Sequence, residues 1–361
     1  TDDDQNVMIG FNAGKASKGS NYEVYIGSNA GCAGDGTARE ENVFIGRYAG
    51  STNCGGCANV YIGRGAGQNR SCGNYNVMFG KCSGQCGRGQ NNVILGHSAG
   101  RGSCNTCTGD NNVFIGKSTG CSITNGDCNV FLGHYTGKDV TTGSANIALG
   151  ASAAENLTTG SDNIAIGCYA MCAGVVTGAG NIALGRNSGK NLVGGGCNVF
   201  LGLQAGTKTN SGNDNIALGR KAMNCGTTGG KNVALGFCAL HGDASTAPTG
   251  GENVSIGYET MMNATTAQMN TAVGSQALNS VTTGQYNTAY GYAAGRKITT
   301  GKCNIAIGHY ALCGGPLTGC HNIVMGHYAA HDMTSGNKNV VIGCCVNVSS
   351  ASGSCQLAIG A

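Results

Sequence analysis

The sequence predicts an all-β fold: a β-solenoid (β-roll or β-helix) of about 21 coils of ~17 residues, built from parallel stacked strands. Three observations lead there. Glycine supplies 66 of 361 residues, far above the ~7% of an ordinary chain. A five-residue string close to Asn-Val-Phe-Ile-Gly recurs from end to end, in 21 copies. Fourteen of the 20 intervals between copies are 17 residues, too short for a helical repeat.

The repeat defines columns. Position zero is Asn in 19 of 21 copies, as at Asn42, Asn59, Asn76, Asn129, Asn146 and Asn163; Glu23 and Gln356 replace it. Stacked coils turn this column into a side-chain amide ladder. Position +4 is Gly in all 21 copies, including Gly46, Gly63, Gly80, Gly133 and Gly150. It ends a short strand in a turn that glycine enters without strain. Positions +1 and +3 are apolar and alternate as a strand does, so they are read as facing the coil interior. Position +7 is small and suits a tighter inward site. A 17-residue unit cannot bury a core alone, so the copies form one stacked domain over 1–361. At about 4.8 Å per rung, 21 rungs would span roughly 100 Å.

On that reading position +2 faces outward. In the first half it carries Phe44, Tyr61, Phe114 and Phe131; later copies mostly carry Ala. A strand apolar on both faces is normally covered on both. These aromatics are therefore a candidate lateral interface with a neighbouring subunit, or with the chain's own longer loops.

Composition excludes other classes. Gly lacks collagen's three-residue period, and there are only 2 Pro. No apolar run reaches the ~18–20 residues of a membrane span. Net charge is +4, too little to argue nucleic-acid binding. One local charge pattern stands out at +5: Arg47, Arg64, Lys81, His97, Lys117 and His134 occupy six consecutive copies. This basic stripe is either a solvated face or the partner of acidic groups or glycans.

The 21 cysteines suggest an oxidising compartment. Equivalent Cα atoms in neighbouring rungs lie about 5 Å apart, inside disulfide range. Cys54 with Cys72, and Cys303 with Cys320, are candidate rung-to-rung disulfides. Cys54–Cys57 and Cys104–Cys107 have metal-ligand spacing, but lie three rungs apart, so no metal site is expected. Four of the seven His fall at +5, as repeat residues, and no nucleophile motif or phosphate loop occurs. Neither catalysis nor a cofactor is expected.

The stretch from Asn270 through Ala289 carries the most diagnostic pattern, Asn-Thr-Ala-Val-Gly-Ser-Gln-Ala-Leu followed by Thr282-Thr283-Gly284. It resembles repeats of phage and viral tail fibres. It is also similar to the head β-rolls of trimeric autotransporter adhesins. The resemblance implies a solenoid fibre or shaft at a cell or virion surface. No capping segment is visible at either end of the repeat, and an uncapped solenoid edge templates pairing with another chain. The expected function is therefore a structural subunit of an extracellular filament, polymerising head to tail. The alternative is a tail-fibre or adhesin shaft that binds surface glycans.

Overall fold

The computed structural model describes residues 5–360 apart from 16, 18–19, 33–39, 54, 71, 103–107, 173, 227 and 243–248. Contacts divide the chain into two compact units, Thr1–Gly180 and Asn181–Ala361. Each unit is a parallel β-solenoid. Every copy of the repeat contributes one three-residue strand, such as Val43–Ile45, Val60–Ile62 or Ile216–Leu218. The strands pair in register: Val43 opposes Val60, and Phe44 opposes Tyr61. Among the described residues there is no helix, and none is long and apolar enough to cross a membrane.

Backbone bonds repeat from rung to rung. Val43 N donates to Asn59 O at 2.8 Å, and Gly63 N donates to Ile45 O at 2.8 Å. The expected amide ladder is present beside them. Asn59, Asn76, Asn146 and Asn163 each donate from Nδ2 to the Oδ1 of the preceding Asn, at 3.0–3.1 Å. Asn129 does the same to Asn112 at 3.1 Å, and Asn42 to the Glu23 carboxyl at 3.1 Å. The same Nδ2 also crosses its own coil: Asn146 reaches Gly160 O at 3.0 Å.

That second bond fixes which parity faces inward. Asn must point into the coil to reach a carbonyl 14 residues ahead. In a strand, residues two apart share a face, so +2 points inward with it, and +1 and +3 point outward. Phe44, Tyr61, Phe114 and Phe131 are accordingly buried core residues, 0–1% exposed. The expectation of a lateral aromatic interface is overturned, because alternation alone does not say which parity is inside. The rings stack along the core instead: Phe44 on Tyr61 with centroids at 4.7 Å, and Phe114 on Phe131 at 5.2 Å. The mostly aliphatic +1 and +3 residues form the outer face. Val130, Leu132, Ile216 and Leu218 are 38–45% exposed.

Position +7 is inward, as its small size suggested: Ala49, Ala66 and Ala99 are fully buried. Threonine there serves the next rung, as Thr136 Oγ1 donates to Gly150 O at 2.6 Å, whereas Ser83 Oγ donates to Gly80 O of its own rung at 3.0 Å. The +4 glycines turn at φ between +125° and +136° for Gly46, Gly63, Gly80, Gly133 and Gly150. Conformational freedom is only half the requirement. A Cβ on Gly63 would meet Gly80 O at 2.6 Å, because corners of successive rungs nest directly on one another.

A second pairing of columns fills the core. A large +2 side chain lies over Gly at +8: a Cβ on Gly50 would be 2.6 Å from the Phe44 ring, and one on Gly206 2.6 Å from the Phe200 ring. In several coils where +2 is Ala, +8 supplies the volume. Ala165 accompanies buried Met171, Ala217 Met223, Ala272 Leu278 and Ala306 Leu312. In the coils of Ala148, Ala183 and Ala289, +8 is Ala154, Gly189 and Gly295, and the buried Leu157, Leu192 and Ile298 stand three residues further on. The threonine column is consumed internally. Thr124 Oγ1 donates to Thr141 O at 2.9 Å, and Thr141 Oγ1 to Thr158 O at 3.0 Å.

Candidate functional site

Positions +5 and +6 follow the corner glycine and form an outward double column. The +6 residue takes a left-handed backbone, as at Tyr48 (φ +61°), Tyr310 (φ +56°) and Cys345 (φ +57°). Its N–H donates to the +5 carbonyl of the preceding rung: Cys82 to Arg64 at 3.0 Å, Cys345 to His327 at 2.8 Å. Side chains of neighbouring rungs are therefore held side by side on the surface.

In the first unit this corner is the basic stripe. Arg47, Arg64, Lys81, His97, Lys117 and His134 are all exposed. Arg47 lies over the Tyr48 ring, 4.9 Å from its centroid, and the His134 ring is 3.9 Å from that of Tyr135. Only these two of the six have a +6 aromatic to rest against; Arg64, Lys81, His97 and Lys117 are followed by Gly65, Cys82, Ser98 and Ser118. Over Tyr48 the ring face shields the Arg47 charge.

In the second unit the same columns become aromatic and imidazole-rich. Tyr292, His309 and His327 stack at 5.2 Å between successive centroids. Tyr310 and Tyr328 stack beside them at 4.9 Å. A hydrogen bond with Tyr292 pushes the Tyr310 phenol above the ordinary tyrosine range. The column continues into Cys344 and Cys345. Cys344 Sγ is 3.8 Å from His327 Nδ1 and 3.4 Å from Cys345 Sγ. The hydrogen bond with Cys344 pushes the Cys345 thiol up. The signal was present in the sequence: His327 and Cys344 both occupy +5, 17 residues apart, the same rung interval that nominates Cys303 with Cys320, but pairing cysteine only with cysteine passes over it.

The disulfide candidates take other roles. Cys54 lies outside the described residues, and Cys72, Cys303 and Cys320 carry free thiols. Cys303 and Cys320 sit one register position apart. Cys303 precedes Asn304 directly, and its in-register neighbour is His321. Cys320 lies two before Asn322, in a column whose side chains accept from the preceding rung. There its Sγ accepts from Lys302 N at 3.3 Å, as Asn337 Oδ1 accepts from Cys320 N at 2.7 Å. Of the two metal-spaced pairs, Cys57 carries a free thiol; Cys54, Cys104 and Cys107 lie outside the described residues.

A surface cleft lined by Asp214, Thr228, Lys231, Glu252 and Gln268 holds an ion pair, Lys231 to Glu252 at 3.5 Å, between largely exposed side chains. Such a pair contributes little in solvent. No family model, curated protein or solved structure matches the chain.

Proposed function

We propose that this chain is a structural subunit of an extracellular filament, assembling head to tail through its own rung register. The observation that carries the reading is the self-complementarity of the ladder. Each interior rung donates from Asn N and Nδ2 on one side and accepts at Oδ1 on the other. A rung of a second copy, translated along the axis, would make the same backbone bonds, and the side-chain bonds too once Gln356 Oε1 released Ser349 and Ser350 of its own coil. Such a contact propagates without closing. The outward Val, Ile and Leu columns supply an apolar face for lateral association. The 21 cysteines are the compositional argument for an oxidising, extracellular location. Recurrence of His and Lys/Arg at one repeat position favours a non-enzymatic role.

The test is negative-stain microscopy of the purified full chain. Long filaments of uniform width are expected. Monodisperse single chains at concentrations well above those in the source would reject assembly.

The second reading, a tail-fibre-like or adhesin-like shaft that binds surface glycans, draws support from the neighbouring aromatics of the +5 and +6 columns, exposed Tyr292 and Tyr328 with half-buried Tyr310 between them. Aromatic faces cover the apolar faces of sugar rings while their polar edges stay wet. A glycan array separates the two. Selective binding lost in Tyr292→Ala would favour the shaft.

A further inference from the structure

We infer that His327, Cys344 and Cys345 form a binding site for a thiophilic divalent cation of the zinc class, which would staple two adjacent rungs.

The three ligand atoms lie within 4.8 Å of one another, on exposed side chains. Two of the three separations are close to those of a tetrahedral site, and the third pair lies within the same 4.8 Å. With Zn–S near 2.3 Å and Zn–N near 2.0–2.1 Å, the ligand atoms of a tetrahedral site are about 3.8 Å apart for two sulfurs and about 3.6 Å for sulfur and nitrogen. The observed separations are 3.4 Å for the sulfurs and 3.8 Å between Cys344 Sγ and His327 Nδ1. These two pairs need a shift of only a few tenths of an ångström, and the exposed side chain of Cys345 is free to turn and close the third. Two thiolates and an imidazole are the ligand types that select zinc over magnesium or calcium.

The backbone holds this geometry ready. Cys345 N donates to His327 O at 2.8 Å, which locks the two rungs in register beneath the ligands. The His327 ring is fixed on one side by His309, stacked at 5.2 Å, and edge-on by Tyr328 at 4.6 Å. Binding replaces the two thiol protons, which pass to solvent, and leaves a fourth position for water. The site would join residues 17 apart, so the cation would do here what the sequence led one to expect of disulfides.

The test uses the full chain, reduced and handled without oxygen, titrated with Zn²⁺ against a chromophoric chelator. Because other thiols are free, the comparison is with Cys344→Ser/Cys345→Ser and with His327→Gln. Wild type should hold one more tight equivalent of Zn²⁺ than the double variant. His327→Gln should weaken that equivalent about tenfold or more. Co²⁺ in its place should give the thiolate charge-transfer band and intense visible bands of a tetrahedral site. Metal-free circular dichroism should be the same for all three proteins, since the side chains are exposed. Equal stoichiometry and affinity in wild type and the double variant would overturn the site. So would unchanged affinity in His327→Gln, or recovery of Cys344 and Cys345 as a disulfide from Zn²⁺-treated protein.

Discussion

Asn59 donates from both its backbone N–H and its Nδ2 to one oxygen, Asn42 Oδ1, each at 3.0 Å. One side-chain acceptor thus satisfies a backbone donor and a side-chain donor of the next rung, inside the core. The arrangement explains why the column is Asn. The amide must accept at Oδ1 and also make two donations from Nδ2, one to the preceding rung and one across its own coil, as Asn59 does to Asn42 Oδ1 and Gly73 O. A hydroxyl has a single proton to give and a carboxylate none. Gln356 shows the consequence of a longer amide. Its Oε1 turns back to Ser349 Oγ at 2.7 Å and Ser350 N at 2.9 Å, within its own coil.

Replacing an interior ladder residue should therefore cost more than one hydrogen bond. Asn146→Ala removes the acceptor for Asn163 N and Nδ2, at 3.0 and 3.1 Å, and the donor to Gly160 O. Buried groups left unpaired cost about 1–3 kcal/mol each, so a loss of about 3–5 kcal/mol is expected. Urea unfolding of the full chain reads this as a lowered midpoint. An outward change one residue away, Ile147→Thr, should cost under about 1 kcal/mol. Equal losses for the two would refute the ladder's role.

Two glycines with different surroundings separate close approach from mere abundance. Gly80 turns at φ +133°, and a Cβ there would meet Gly96 O at 2.6 Å. Gly80→Ala should destabilise by about 3 kcal/mol or more, combining backbone strain with a clash against main chain. Gly194 has nothing within 4 Å of an added Cβ. Gly194→Ala should be neutral, or stabilising by about 0.4–1 kcal/mol, through the unfolded chain. Thermal unfolding of both variants checks the pair.

Much of this structure was legible before any coordinates. The 17-residue interval, the Asn column and Gly at every +4 predict stacked parallel strands, and the strands occur at those places. The inward direction was not legible from alternation. Val43 and Ile45 look like core by type, yet the amide of Asn42 sets the parity, and Phe44 goes inside. The volume exchange between +2 and +8 was present in the columns but had no meaning until both were known to face the same cavity. The thiol–imidazole cluster was hidden for another reason. His327 and Cys344 share the +5 column, so the rung interval already placed them side by side, but a column that mixes imidazole and thiol reads as surface variation until the +6 bond of Cys345 to His327 fixes both thiols beside the ring.

Thiol chemistry should follow burial. Burial pushes the thiols of Cys121, Cys238 and Cys313 above the ordinary cysteine range. The thiolate is the reactive form, so these three should alkylate at pH 8 more slowly than exposed Cys197 and Cys355. Peptide mass spectrometry after timed iodoacetamide treatment reads each site. The sign for stability follows from linkage. A raised folded pKa keeps the proton on the folded chain while the unfolded thiol loses it. Stability is then fully present below the ordinary thiol pKa of about 8.5 and declines as pH rises toward the folded value. The thermal midpoint should fall as pH rises above about 8.5, and less steeply in Cys121→Ala.

The +2 and +8 columns offer the sharpest test of how the core is filled. In one rung Phe200 lies over Gly206; in the next, Ala217 accompanies Met223, whose backbone keeps the same left-handed turn at φ +48°. Both solutions fill the same space. Phe200→Ala alone should cost about 3–5 kcal/mol through the cavity it leaves. Gly206→Met alone should also destabilise, because its Cβ would lie 2.6 Å from the Phe200 ring. Together they recreate the neighbouring rung, and each removes the other's penalty. The double variant should be more stable than the sum of the single losses by about 2–3 kcal/mol, a coupling of the size seen between residues in direct contact. Four proteins, unfolded in urea under one condition, complete the cycle. Additive losses would show that the two positions do not share a cavity, and the volume-exchange account of this core would have to be abandoned.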